Sequence, residues 1–129
     1  MSQIQVLHQQ AMDLAEASAV ARLRGAPEQA AQLTRQAFEQ ETQAATLIAS
    51  TLDAEPTRSV LHRSAASLAI ECGELRAAER LIATALSGNP PPEIAEELKD
   101  LFIQINLSQY LKRQGIHIDI NELHGLVNQ

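Results

Sequence analysis

The densest group of chemically capable side chains in the 129-residue sequence is His117, Asp119, Glu122 and His124. Imidazole nitrogen and carboxylate oxygen are ordinary ligands of zinc and iron, so such a set can in principle hold a metal. The spacing matches no established ligand motif, however. The alternation of His117 and Asp119 with Ile116, Ile118 and Ile120 equally describes a half-exposed extended segment. A second candidate reads Cys72 as a nucleophile and His62 as its base. On one helix their separation of ten residues is nearly three turns, about 15 Å, which is too far for a hydrogen bond. Cys72 therefore reads as an inert core residue and His62 as a packing residue at a hairpin mouth, while His8 is expected at the surface. The glycines at 25, 73, 88, 115 and 125 are scattered and build no phosphate-binding loop. Glu96, Glu97 and Asp100 fall near a helix start, where solvated acids are expected. No catalytic residue, metal ligand or cofactor site is assigned.

The elements that would position any site follow from composition. A chain of this length can bury a core without metal or disulfide staples. Aromatic residues make up only 2% of it, so alanine and leucine must fill the interior, which favours closely packed helices over a sheet. The formal charge of −6 and pI near 5.1 disfavour nucleic acid and anionic membrane as partners, because phosphate binding needs a concentrated positive field. Cys72 is the single cysteine, the first residues MSQIQVLHQQ carry no secretory pattern, and no apolar run approaches a membrane span. A cytoplasmic location is the expectation.

Apolar periodicity predicts five helices. The first runs over about 2–24, with Ile4, Leu7, Ala11, Leu14, Ser18 and Ala21 as a narrow inward seam, and stops at Gly25. The second starts at Pro27 and runs to about Leu52, burying Ala30, Leu33, Ala37, Ala44, Ile48 and Leu52. Thr57 is expected to cap the third, which buries Leu61, Ala65, Leu68, Ala69 and Cys72 and ends at Gly73. The fourth covers Glu74 to Ser87 and, after so short a link, must form a hairpin with the third. The run Pro90, Pro91 and Pro92 breaks the chain. The fifth helix starts near Pro91, places Ile94, Leu98, Leu101 and Ile105 inward, and fades near Tyr110. Beyond it, Ile116 to Ile120 suggests a short extended segment and Asn121 a final helical turn. The tail is expected to dock on the bundle or on another chain. The organisation is thus one all-α domain over 1–129, with hairpins at 2–52 and 57–87 and a capping helix with tail at 91–129.

Placing Gly25 on Gly73 also places Ala30 on Ala78 and Ala37 on Ala85, an offset of 48 residues that marks an internal repeat. The second hairpin resembles a tetratricopeptide (TPR) repeat over 59–90, where Gly73, Leu75, Ala78, Ala85 and Pro90 occupy that family's turn, small-residue and closing positions. It departs from the family at Ala65, Ala66 and Ala69, which replace its usual leucine, glycine and tyrosine, and at His62, which replaces its tryptophan. The resemblance is weak over 11–45 and does not extend to the tail. It implies a superhelix of antiparallel hairpins and a non-catalytic adaptor that holds a partner protein or peptide. By that resemblance Arg63, Ser67 and Ile70 face a concave groove, and Arg63 pairs with a carboxylate on the ligand. The competing expectation for Arg58, Arg63, Arg76 and Arg80 is that they are solvated or bridge to Glu71, Glu74 and Glu79. The alanine seam of the first helix and the apolar tail also suit a homodimer. The alternative from another class is a small metal-binding enzyme or sensor using the histidine-containing tail.

Overall fold

A computed structural model describes residues 2–115, which form helices, the turns between them and the caps at either end. The helices are α1 (Gln3–Leu23), α2 (Pro27–Ile48), α3 (Thr57–Glu71), α4 (Leu75–Leu86) and α5 (Pro92–Arg113). The protein is all-α, and no strand occurs among the described residues. Consecutive helices pack on one another, and α5 lies against both α4 and α3. The tail residues read above as an extended segment, and His117, Asp119, Glu122 and His124 with them, lie outside the described residues.

Local signals account for most helix ends. Ser2 accepts from the Gln5 amide while the Gln5 side chain accepts from Ser2, a reciprocal cap that satisfies two otherwise free donors at the start of α1. Pro27 and Pro92 open α2 and α5, where a missing N–H costs nothing. The two hairpin turns use the same bonds 48 positions apart. Gly25 and Gly73 have φ of 77° and 76°; Ala26 donates to the Ala21 carbonyl at 2.9 Å and Glu74 to that of Ala69 at 2.8 Å. This is the six-residue closure that a left-handed residue after a helix permits. Behind each turn the small residues Ala21, Ala30 and Ala37, and in the other hairpin Ala69, Ala78 and Ala85, are at most 6% exposed, so the helix axes approach closely.

Both hairpins are antiparallel. His8 meets Glu41 and Ser18 meets Ala30 and Thr34, so passing up α1 passes down α2. Arg58 at the start of α3 meets Thr84 and Ala85 at the end of α4. The main core joins Ala37 and Phe38 of α2, Ala66, Leu68 and Ala69 of α3, Ala78, Ile82 and Ala85 of α4, and Ile94, Leu98 and Ile105 of α5. A smaller cluster of Ala44, Ala45, Ile48 and Leu61 fills the other end.

Two expected boundaries are corrected. Helix α2 stops at Ile48, before the expected Leu52, which is 56% exposed. Its terminal carbonyls find other partners: Arg58 Nε donates to the Ala49 carbonyl at 2.7 Å, and Thr51 turns back to Ile48 at 3.0 Å. Thr57 lies inside α3 and does not cap it. The cap is supplied by Glu55, whose carboxylate accepts from the Ser59 amide at 3.0 Å and the Ser59 hydroxyl at 2.8 Å. A carboxylate in that position also complements the positive end of the helix dipole.

Candidate partner-binding site on helix α3

Arg63, Ser67 and Ile70 recur at i, i+4 and i+7 of α3, which places them on one stripe of that helix. All three are partly buried. Arg63 Nη1 donates to Glu97 Oε2 of α5 at 2.7 Å, with the two side chains 29% and 53% exposed. Ile70 packs at the other end against the core that contains the α5 residues Ile94, Leu98 and Ile105. The charged end of the stripe thus reaches α5 and stays partly open to solvent, while its apolar end lies against the core. A guanidinium so placed presents a fork to carboxylates, and one carboxylate, from Glu97, already holds it. An exposed pair of this kind contributes at most about 1 kcal/mol, so an incoming carboxylate can replace Glu97 at little cost.

The other three arginines separate from it. Arg58 is 1% exposed, contrary to the expectation of a solvated charge or a bridge to Glu71, Glu74 or Glu79. Its Nε donates to Ala49, its Nη2 to Thr84 at 2.9 Å and its Nη1 to Ala85 at 3.4 Å, with Glu55 Oε2 at 3.9 Å. Those carbonyls sit at the C-terminal ends of α2 and α4, where the negative ends of two helix dipoles converge. One delocalised cation with several fixed donors satisfies both ends, which a lysine cannot do. Gly88 makes room for it, since a Cβ there would overlap the guanidinium. Arg76 and Arg80 are exposed on α4.

The histidines divide as well. His62 is buried as expected, and its Nδ1 donates to the Arg58 carbonyl at 2.7 Å. Burial holds its imidazole below the ordinary range, so the ring is kept neutral. The Cys72 thiol is pushed up, first by burial and then by the acids Glu71, Glu74 and Glu39, against the pull of Arg35. A thiol shifted that way is a poorer nucleophile at neutral pH. It forms part of the wall of a cleft of about 230 Å³ with Arg22, Thr34 and Arg35, where helices α1, α2 and α3 meet. His8, expected at the surface, is part-exposed and also reaches inward to a buried partner. Its Nδ1 lies 2.9 and 3.0 Å from the two oxygens of Glu41, whose side chain is fully buried in α2. Burial raises the Glu41 carboxyl above its usual range, opposed by His8 and by a hydrogen bond from Ser64 of α3. One carboxylate thus ties α1, α2 and α3 together.

Among the described residues, no three histidine, cysteine or acidic side chains converge in a way that could hold a metal ion, and no helix is long and apolar enough to cross a membrane. No protein-family model, curated protein or solved structure matches the chain.

Proposed function

We propose that this protein is a non-catalytic, TPR-like interaction module of the cytoplasm that binds an extended, acidic segment of a partner protein along the α3 stripe of Arg63, Ser67 and Ile70. The observation that carries the proposal is the Arg63–Glu97 pair at the α3–α5 border. It is a directed, partly exposed cation whose present partner is a more exposed side chain of the same protein. In this reading Glu97 holds the guanidinium in place until a ligand carboxylate takes over, Ser67 offers a hydroxyl to the ligand backbone, and Ile70 gives an apolar contact at the inner end. The acidic balance of the rest of the chain adds selectivity, since a ligand carboxylate is repelled elsewhere on the surface.

Selection from a displayed library of random peptides tests this directly. The expected winners carry aspartate or glutamate and lose binding to the Arg63→Glu protein. Enrichment of peptides without acids, or equal capture by both proteins, counts against the α3 site.

A further inference from the structure

The alanine seam of α1 is used inside the molecule. Its residues Ala11, Ser18 and Ala21 are at most 6% exposed, and the helix packs on α2 along them. On the other side, Asp13, Ala17, Val20 and the cap residue Arg24 recur at i, i+4, i+7 and i+11, which makes them one stripe. All four are exposed, and so is Glu16 beside them. The stripe borders a cleft of about 430 Å³ between α1 and the first turns of α2, walled by Ala17 and Val20 on one side and by Leu33 on the other. Charge is divided between its ends, with Asp13 and Glu16 at one and Arg24 at the other. Asp13 Oδ1 accepts from Gln9 Nε2 at 3.0 Å, which steadies the carboxylate on this side of the helix. Arg24 has no ion pair or side-chain hydrogen bond with any described residue.

This stripe is complementary to itself. Ala17 and Val20 share their midpoint with Asp13 and Arg24, and the two charges lie about 8 Å to either side of it along the helix axis. An antiparallel second α1 centred on that midpoint sets each Asp13 opposite an Arg24 and each Ala17 opposite a Val20. A parallel one sets acid on acid and base on base. The small side chain of Ala17 lets the two axes approach, and the cleft beside it can receive Val20 of the second copy.

We propose that two copies of this chain associate through the outer sides of their α1 helices, antiparallel about a two-fold axis that passes between Ala17 and Val20. A contact of this isologous kind closes at two chains and is the commonest symmetry of soluble oligomers. None of its residues belongs to α3 or α5, so it stands apart from the proposed peptide site.

Charge reversal, read by sedimentation velocity over a concentration series and by native mass spectrometry, tests the symmetry. The parent protein is expected to show a monomer–dimer equilibrium. Asp13→Arg and Arg24→Glu each weaken self-association at least about tenfold, because each sets like charges opposite one another twice. An equimolar mixture of the two variants forms a heterodimer within about threefold of the parent affinity, since the introduced charges then face each other and the native ones do the same. Circular dichroism of the separate variants checks that both keep the parent's helix content, as substitutions at exposed positions should. A parent that stays monomeric up to ~1 mM overturns the proposal. So do single variants that dimerise as the parent does, and so does a mixture of two folded variants that fails to pair, which would place the contact on some other face.

Discussion

The side chains that distinguish this protein from a plain alanine–leucine bundle are its buried polar groups, and two of them, Glu41 and His62, have a titration consequence. Glu41 sits in the interior because His8 and Ser64 hold it, and the cost of that burial falls on its ionised form. His8→Ala removes the main partner. It is expected to cost about 1–3 kcal/mol at pH 7 and distinctly less at pH 4, where a protonated Glu41 needs no counter-charge. Urea unfolding at the two pH values reads the difference. His62 works in the other direction. Its folded pKa is lowered, so its contribution to stability is complete above the ordinary value of 6.5 and is lost as pH falls through the lowered one. Glu41, raised in the fold, contributes most below its ordinary 4.5 and loses that contribution as pH rises through its raised value. Between those limits the two oppose each other. His62→Asn keeps a donor for the Arg58 carbonyl and removes one side of the balance, so its stability relative to the parent is expected to improve as pH falls from 7 to 5. The pairing of His8 with Glu41 was half legible. The inward seam of α2 steps from Ala37 to Ala44 and skips the position at 41, where the helical period requires an inward residue. A charged side chain in such a gap implies a buried partner, and His8 occupies the corresponding row of α1. What periodicity lacks is the pairing of helices in space that identifies the partner.

At the scale of elements, the glycine stops and proline starts were readable because they are local: φ above zero favours glycine, and a proline tolerates the first helical turn. The end of α2 and the cap of α3 were not readable, because both depend on Arg58 and Glu55 acting across the loop between the helices. Arg58 carried one clue, since a cation in the first turn of a helix opposes that helix's own dipole. It stands there to serve the C-terminal ends of α2 and α4. The matched turns yield a prediction of their own. A Cβ at Gly25 or Gly73 meets nothing within 4 Å, so the cost of Gly25→Ala or Gly73→Ala is confined to the backbone. Each is expected to destabilise by about 1–2 kcal/mol. The two values should agree in thermal or urea unfolding if the turns are as alike as their hydrogen bonds.

For the whole molecule, the scarcity of aromatics, the alanine–leucine interior and the helical apolar period were enough to anticipate an all-α fold. The placement of the candidate site was not, because whether α3 meets α5 is decided by packing and not by spacing. That contact gives the α3 stripe its neighbour, Glu97, and makes the proposed binding a contest between two carboxylates for one guanidinium. Opposite substitutions across the pair should therefore have opposite effects. The decisive measurement is the affinity of one selected acidic peptide for the parent, Arg63→Glu and Glu97→Gln proteins, by calorimetry at fixed ionic strength. Loss of at least about tenfold for Arg63→Glu, with a gain of up to about fivefold for Glu97→Gln, is the predicted result. Unchanged affinity in both variants, or weaker binding in Glu97→Gln, would contradict the α3 site.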